Sequence, residues 1–267
     1  MISDEELTAL MQAINNRYGL DFTNYERTSL KRGIVRLMMK HNMESIIELW
    51  SLILKDNEFF LNAIDDLLVN LTELFRNPDV WIQLRDKIIP EISNKSMKIW
   101  HAGCSTGEEV YTMNIVLETL NMLSRAKLVA TDLSKTALNK AKKGHYSLAT
   151  LKQYIVPFLK FFPDKDMKDY FDFHDKHANI KSKYQTNVSF KIHNLVMDKM
   201  EDKFDIIFCR NVMIYFDETL KHRVLDLLHS CLKDDGYLII GYYDIMPEYG
   251  KSKFAIHNVK TRIYKKK

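Results

Sequence analysis

The first third of the chain has the hydrophobic spacing of helices. From residue 1 to about 95, apolar residues recur three and four positions apart, as in Leu30, Ile34 and Leu37, and no segment alternates as a strand does. The composition shifts toward β-branched and aromatic residues just after Pro90, and proline commonly ends helices. We therefore predict a helical domain over residues 1–92 and a second domain over 93–267.

The remainder of the chain alternates between strand-like and helix-like segments, which is typical of a parallel sheet covered by helices. The polar and aromatic stretch at about 147–187 interrupts this alternation, so we predict an inserted subdomain there, and the last residues resemble a hairpin that completes the sheet. The strand-like runs are 98–104, 127–132, 188–194, 204–210 and 237–242, and the helix-like segments are 108–124, 134–143 and 218–233.

The overall composition limits the class of protein. The chain has 267 residues, 39 basic and 35 acidic, and its net charge of +4 argues against a dedicated nucleic-acid binder. No apolar run is long enough to span a membrane, and the first residues are acidic, unlike a secretory signal. We expect a cytoplasmic monomer that does not insert into a membrane. The three cysteines lack the spacing of metal ligands, so we expect reduced thiols and no metal site.

The loop after the first predicted strand carries the candidate cofactor chemistry. Gly103 and Gly107 lie between that strand and a helix that begins with Glu108 and Glu109. A loop of this kind usually binds phosphate at the helix N-terminus, but two glutamates would repel a pyrophosphate at a cost on the order of a few kcal/mol. They would attract an adenosine cofactor that carries an ammonium and a sulfonium and no phosphate. The pattern therefore favours S-adenosylmethionine.

Asp132 ends the second predicted strand, in the sequence "VATD". A carboxylate at this edge of a parallel sheet can accept hydrogen bonds from both ribose hydroxyls. The position serves NAD and S-adenosylmethionine alike, so only the glutamates distinguish the two cofactors. Asp132 could instead cap the following helix, a role for which Ser134 competes. We favour the ribose contact.

The same glycine loop also matches the nucleophile elbow of α/β-hydrolases. Residues 103–107 read G-x-S-x-G with Ser105 as the nucleophile, and Asp217 or Asp244 followed by His257 lie in the right chain order. In those enzymes, however, the elbow follows several strands, whereas here it follows a helical region and a single strand. A hydrolase is therefore an alternative that the context disfavours.

Five longer motifs in the chain are informative when they are considered together. They are "NLTELFRN" at 70–77, "WHAGCSTGEEVYT" at 100–112, "ATDLSKTALNKAKKGHY" at 130–146, "HNL" at 193–195 and "FDIIFCRNVMIYFD" at 204–217. In order and approximate spacing they resemble the CheR family of chemotaxis receptor methyltransferases, nearly from end to end. The resemblance implies an α/β fold: a seven-stranded, Rossmann-like S-adenosylmethionine-dependent methyltransferase sheet with a helical N-terminal domain and a small inserted β-subdomain.

The resemblance also implies a reaction and its residues. The expected enzyme transfers a methyl group from S-adenosylmethionine to glutamate side chains in the cytoplasmic domains of transmembrane chemoreceptors, giving glutamate methyl esters and S-adenosylhomocysteine. Arg76 and Tyr215 correspond to the pair that acts near the transferred methyl. Because the glutamate carboxylate is already ionised at neutral pH, the reaction needs positioning and no general base. The cofactor contacts carried over by motif are Asn70, Thr72, Arg76, Gly103, Glu109, Asp132, Asn194, Leu195, Arg210 and Asn211.

The helix that contains Leu30 carries Arg32, Arg36 and Lys40 at four-residue steps, roughly opposite its apolar stripe. By pattern alone this basic face could be an ordinary solvated surface. The resemblance implies instead that it binds the substrate, since the family's N-terminal domain is thought to meet acidic receptor helices.

Some features depart from the family or leave alternatives open. The segment Gly241–Asp244 reads Gly-Tyr-Tyr-Asp where the family usually has Gly-x-Ser-Glu, which leaves the role of this edge open. His174 and His177, with two aspartates nearby, superficially suggest metal ligands, but a polar loop is the simpler interpretation. The rival functions are a methyltransferase that acts on a partner other than a chemoreceptor, and a non-catalytic S-adenosylmethionine-binding signalling module.

Overall fold

The computed structural model describes residues 2–67, 72–92 and 96–267. Within these ranges the chain forms a helical N-terminal region, a seven-stranded mixed sheet covered on both faces, and a separate three-stranded antiparallel sheet. The predicted fold class is therefore confirmed. Among the described residues, no helix has both the length and the apolar character needed to span a membrane.

Four helices make up the N-terminal region, as the hydrophobic spacing predicted. The first begins with a capping box, in which Ser3 and Glu6 satisfy each other's backbone N–H groups. The buried faces of these helices form one cluster, which continues onto one face of the large sheet. The helices are α1 (Asp4–Tyr18), α2 (Arg27–Lys40), α3 (Ile46–Lys55) and α4 (Asn57–Leu67).

Residues 72–92 contain α5 (Pro78–Gln83), a π-helical turn (Leu84–Ile88) and α6 (Ile89–Ile92). Their apolar side chains, including the fully buried Trp81, belong to the cluster that covers the other face of the large sheet. Trp81 stacks on Phe208 with the ring centroids 5.4 Å apart. The domain boundary at residue 92 stays a prediction, although the segment just before it packs against the sheet.

The large sheet has the strand order β6-β2-β1-β7-β8-β10-β9. Its first five strands are parallel, and β10 pairs antiparallel with both β8 and β9, so the C-terminal hairpin completes the sheet as predicted. The carboxyl ends of the central strands therefore meet at one edge. The strands are β1 (Met97–Ala102), β2 (Ala126–Asp132), β6 (Val188–Ile192), β7 (Phe204–Cys209), β8 (Leu232–Ile240), β9 (Phe254–Asn258) and β10 (Ile263–Lys266).

The helices that connect these strands are α7 (Glu108–Thr119), α8 (Lys135–Lys143), α11 (Glu218–Cys231) and α12 (Glu248–Lys253). The interrupting segment forms a small antiparallel sheet of β3 (His145–Ser147), β4 (Phe171–Phe173) and β5 (His177–Ile180). It also contains α9 (Leu148–Gln153) and α10 (Ile155–Phe161), which the pattern did not predict. Helices of six and seven residues are too short to display a clear helical period.

Candidate active site

A cleft opens at the carboxyl ends of β1, β2 and β7, beneath the helical N-terminal region. Its empty space, with the open mouth included, is about 930 Å³. Most of the residues predicted to bind the cofactor lie in its wall. The lining residues are Tyr25, Thr72, Glu73, Arg76, Gly103, Cys104, Ser105, Glu109, Asp132, Leu133, His193, Asn194, Leu195, Arg210, Asn211, Val212, Tyr215 and Phe216.

The glycine loop turns sharply between β1 and α7. Gly103 has a left-handed φ of 86°, and a Cβ atom there would lie 2.5 Å from Cγ2 of Val212. Only glycine fits this close approach without displacing its neighbour. The backbone N–H groups of Gly103 and Cys104 both donate to the carbonyl oxygen of Thr131, which holds the loop against the end of β2.

Glu109 lies at the base of the cleft between two donors. Its Oε1 is 2.9 Å from Nδ1 of His101, and its Oε2 accepts from Nη1 of Arg210 at 3.0 Å. Burial opposes ionisation of this carboxyl, but the hydrogen bond from His101 and the charge of Arg210 outweigh it and lower the pKa of Glu109. The cleft therefore contains an ionised carboxylate, as the predicted ammonium contact requires.

Glu108 has different surroundings, although it is the adjacent residue. It is buried, and its carboxyl accepts hydrogen bonds from Thr106 Oγ1 at 2.6 Å and from the Tyr154 hydroxyl at 3.2 Å. Burial raises its pKa, and no cation forms an ion pair with it among the described residues. The Tyr154 hydroxyl also contacts the carbonyl oxygen of Thr72, so Glu108 faces the insertion and not the cofactor cleft.

Asp132 contacts the glycine loop through its side chain. Its Oδ2 accepts from the Ser105 N–H at 2.7 Å, and its Oδ1 accepts from the Ser134 N–H at 2.9 Å. The cap of α8 is Ser134, whose Oγ accepts from the Ala137 N–H, so the capping alternative for Asp132 is wrong. The carboxylate of Asp132 also lines the cleft, where the predicted ribose contact places it.

Residues 193–195 line the opposite wall. The side-chain oxygen of Asn194 accepts from the Val196 N–H at 2.9 Å, so this side chain stabilises its own turn. Both ring nitrogens of His193 are buried and have no hydrogen-bond partner among the described residues. The motif "HNL" contained His193, but no spacing argument distinguished it from a core histidine.

Arg210 organises the wall next to Glu109. Its side chain is 2% exposed and donates to Glu109, to the Arg76 carbonyl at 3.1 Å and to Asn77 Oδ1 at 2.7 Å. Arg76 and Thr72 both line the cleft, and the Arg76 side chain lies 3.9 Å from Glu73. Asn70, the remaining predicted contact of this motif, lies outside the described residues.

Asp244 holds the loop that follows β7. Its carboxylate accepts from the backbone N–H groups of Asn211 at 2.6 Å, Gly241 at 2.7 Å and Ile214 at 3.1 Å. It is fully buried, and that burial raises its pKa to about 6. Asp244 belongs to the segment whose sequence departs from the family. It nevertheless has a structural role, because it orders the segment that contains Asn211 and Tyr215.

Tyr215 lies where the helical region meets this loop. The Glu26 N–H donates to the Tyr215 carbonyl at 2.8 Å, and Tyr25 and Phe216 form an isolated antiparallel bridge with their rings in edge contact. Burial raises the pKa of Tyr215, and the positive charges of Arg76, Arg36 and Arg32 oppose that rise.

Tyr25 is a cleft residue that sequence reasoning missed, because it belongs to the helical N-terminal region and reaches the cleft only in three dimensions.

The three basic residues of α2 divide into two groups. Arg32 and Arg36 are exposed and near enough to Tyr215 for their positive charges to oppose the rise of the tyrosine pKa, although neither side chain lines the cleft. Lys40 instead forms an ion pair with Asp66 of α4 at 2.7 Å. The basic face thus lies partly near Tyr215 and partly against the helical region itself.

The hydrolase alternative is wrong in this fold. Ser105 Oγ is buried without a hydrogen-bond partner among the described residues. His257 lies on the edge strand β9 with its ring against Tyr237, while Asp217 caps α11. Among the described residues, neither an acid nor a histidine hydrogen-bonds the Ser105 hydroxyl, although the left-handed φ of 47° at Ser105 is typical of an elbow.

The histidines of the insertion contact one another, with the His174 and His177 ring centroids 4.8 Å apart. Over the ranges that the structure describes, no group of three or more His, Cys, Asp or Glu side chains is arranged to hold a metal ion.

The residues of the cleft fit the predicted cofactor. Glu109 supplies an ionised carboxylate for an ammonium group, and Asp132 places a carboxylate in the cleft wall at the end of β2, where a ribose would lie. His193 adds buried ring nitrogens that have no other partner in the described part of the chain. Buried polar groups of this kind commonly find their partner in a ligand.

Comparison with known protein families gives two matches that together cover most of the chain. Residues 70–263 match the family described as CheR methyltransferase, SAM binding domain. Residues 5–68 match the family described as CheR methyltransferase, all-alpha domain. The two matches meet between α4 and the segment 72–92.

Individual relatives agree with this result. A Pseudomonas putida protein with the provisional name methyltransferase Cher3 is 33% identical over 240 residues, covering 90% of this chain and 88% of the relative. A Borreliella burgdorferi protein named chemotaxis protein methyltransferase is 30% identical over 256 residues, with coverage of 90% and 88%. A protein of the same name from Vibrio anguillarum is 30% identical over 252 residues, with coverage of 90% and 89%.

Proposed function

Since the chain belongs to the CheR methyltransferase family, we propose that it methylates glutamate side chains in the cytoplasmic domains of chemoreceptors. The chain is an S-adenosylmethionine-dependent methyltransferase. Two observations support receptor glutamates as the methyl acceptor. They are the names of the relatives and the charges around the cleft.

The observation that carries this proposal is that the exposed Arg32 and Arg36 are near enough to Tyr215, a cleft residue, for their positive charges to oppose the rise of its pKa. A glutamate acceptor brings negative charge to the cleft mouth, and exposed arginines nearby would steer it and an acidic protein surface around it. An amine or alcohol acceptor would gain nothing from such a mouth. Arg76 adds a third positive charge within the cleft wall.

S-adenosylmethionine, when bound, supplies an electrophilic methyl group on a sulfonium. We assign Glu109 to its ammonium, Asp132 to its ribose, and the segments around Thr72, Asn194 and Asn211 to the remaining contacts. The residues around the cleft mouth would place one oxygen of the acceptor carboxylate in line with the methyl–sulfur bond.

Tyr25, Tyr215 and Phe216 would exclude water from that carboxylate, because they bring aromatic surface from the helical region and from the loop after β7. The Tyr215 hydroxyl would orient the acceptor by donating a hydrogen bond. Its raised pKa keeps it protonated at neutral pH. No residue is required to remove a proton, since the acceptor is already an anion.

The test is methyl transfer from labelled S-adenosylmethionine to purified cytoplasmic fragments of chemoreceptors. We expect label on glutamate that is released by mild base, as an ester is. Tyr215→Phe should lower kcat by about tenfold or more, because one oriented donor is lost. Tyr243→Phe is the matched control, since Tyr243 is 75% exposed in the neighbouring loop, and it should not change kcat.

The proposed role of Arg32 and Arg36 in binding the receptor has a separate test. Replacing Arg32 and Arg36 together by alanine should raise the KM for the receptor fragment by about tenfold, more at low salt than at high salt, and leave cofactor affinity unchanged. The charge-matched control is the double variant Lys55→Ala and Lys127→Ala, which removes two exposed cations, one at the end of α3 and one near the amino end of β2. Label that appears only on acceptors other than glutamate would contradict the proposed reaction.

A further inference from the structure

His101 is a buried titratable residue that the proposed reaction does not use. It lies on β1 with no solvent exposure, and its ring stacks almost flat on Phe208 of β7, with centroids 4.6 Å apart and an interplanar angle of 8°. The two residues are register partners in the parallel β1–β7 pair. The ring is therefore held in one orientation by its neighbouring strand.

The two ring nitrogens of His101 have different surroundings. Nδ1 is 2.9 Å from Glu109 Oε1, whereas Nε2 is buried without a hydrogen-bond partner among the described residues. A buried polar nitrogen without a partner costs free energy, so a residue needed only for packing would be better apolar. The contact that explains a histidine at this position is the one with Glu109.

A carboxylate only accepts hydrogen bonds, so the proton of the ring is assigned to Nδ1. His101 then donates to Oε1 while Arg210 donates to Oε2, and each oxygen keeps a second acceptor site. Arg210 supplies the positive charge of an ion pair with Oε2, and the ring N–H of His101 fixes the direction of Oε1. The carboxylate thus stays able to attract an ammonium group.

We propose that His101 is a positioning residue for S-adenosylmethionine, which holds the Glu109 carboxylate toward the ammonium group of the cofactor. This inference rests on the assignment of Glu109 in the proposed function. His101 itself does not touch the cofactor in this proposal, because the cleft lining includes Glu109 and not His101. Its effect should therefore fall on cofactor affinity and not on the chemical step.

The experiment compares His101→Leu with His101→Asn by calorimetric titration with S-adenosylmethionine and by methyl transfer to the receptor fragment. The side-chain amide of asparagine can donate from about the place of Nδ1, whereas leucine cannot donate. We expect His101→Leu to weaken cofactor binding about tenfold with kcat at saturating cofactor within about twofold of wild type. His101→Asn should recover most of the affinity.

A mutant cycle with Glu109→Gln separates this proposal from the one on which it rests. If Glu109→Gln alone binds the cofactor as well as wild type, the ammonium assignment fails. If Glu109→Gln weakens binding but His101→Leu does not, only the role of His101 is overturned. The proposal requires that adding His101→Leu to Glu109→Gln weakens binding by less than about twofold more, because the two residues act through one contact.

Phe208→Leu provides the packing control, since it removes the ring on which His101 stacks and leaves the donor in place. We expect it to lower the free energy of unfolding while cofactor affinity falls much less than in His101→Leu. Equal losses of affinity in Phe208→Leu and His101→Leu, or in His101→Asn and His101→Leu, would show that only packing matters and would overturn the proposal.

Discussion

Two adjacent glutamates at the start of α7 lie in opposite electrostatic environments. Glu109 is ionised between His101 and Arg210, and its pKa is lowered. The Glu108 carboxyl accepts hydrogen bonds from the hydroxyl groups of Thr106 and Tyr154, and burial raises its pKa. Neighbours on a helix point in directions about 100° apart, so one faces the sheet and the cleft while the other faces the insertion. Identical side chains thus acquire different chemistry from the elements opposite them.

The largest effect should follow from removing the cation on the Glu109 side. Arg210→Met leaves a buried carboxylate without its charge partner, and the variant should lose about 3 kcal/mol in the free energy of unfolding. Urea denaturation measures the loss. Arg85→Met, which breaks a partly exposed ion pair with Asp86, is the control and should cost less than about 1 kcal/mol. Equal losses in the two variants would mean that Glu109 does not depend on Arg210.

The pH dependence of stability should have opposite signs for the two glutamates. The lowered pKa of Glu109 contributes stability that is present above its ordinary value of 4.5 and is lost as pH falls through the lowered pKa. The raised pKa of Glu108 contributes stability that is present below 4.5 and is lost as pH rises through the raised pKa.

The measurement is the free energy of unfolding against pH for wild type, Glu109→Gln and Glu108→Gln. The difference between wild type and Glu109→Gln should grow with pH in the acidic window, and the difference for Glu108→Gln should shrink above it. Either slope is at most about 1.4 kcal/mol per pH unit for a single group. Slopes of the same sign would contradict the assigned environments.

A smaller loss of stability is expected when a hydrogen-bond partner of Glu108 is removed. Tyr154→Phe removes the hydroxyl that lies 3.2 Å from both the Thr72 carbonyl and the Glu108 carboxyl, and it should cost about 1 kcal/mol in the free energy of unfolding. Cofactor affinity should fall slightly as well, because Thr72 lines the cleft. Tyr243→Phe serves as the exposed control. No change in stability would mean that this hydroxyl does not connect the insertion to the cleft.

The smallest effect should come from Glu108→Gln. The amide oxygen can accept from one of the two hydroxyls, and the amide NH2 can donate to the oxygen of the other, while the side chain stays outside the cofactor cleft. Cofactor affinity should stay within about threefold of wild type, measured beside Glu109→Gln, which should weaken binding by about 100-fold. Similar losses in both variants would remove the distinction between the two residues.

Much of the fold could be predicted because its elements have strong local patterns. The five parallel strands and the helices α7, α8 and α11 occur close to their predicted positions, since apolar runs and amphipathic segments alternate clearly there. The short helices of the insertion could not be predicted, because their aromatic residues make contacts far away in sequence. Phe161, for example, packs against Phe75 with ring centroids 5.0 Å apart.

The residues of the candidate site also fall into two groups, those that the sequence identified and those that it did not. Motifs identified Glu109, Asp132 and Arg210 as cofactor residues, and all three line the cleft, although their roles stay predictions. Tyr25 and His193 could not be found, because neither has a distinguishing spacing and each reaches the cleft through the tertiary fold.

By itself the sequence determined the order of strands and helices, the glycine loop and the set of acidic residues beside it, because these depend on local periodicity and residue type. Only the tertiary structure decided the opposite pKa shifts of the two glutamates, the lack of a catalytic partner for Ser105 among the described residues and the role of Asp244 in ordering the loop after β7. Those outcomes depend on burial and on charges from distant segments. A pKa or a hydrogen bond belongs to the surroundings as much as to the residue.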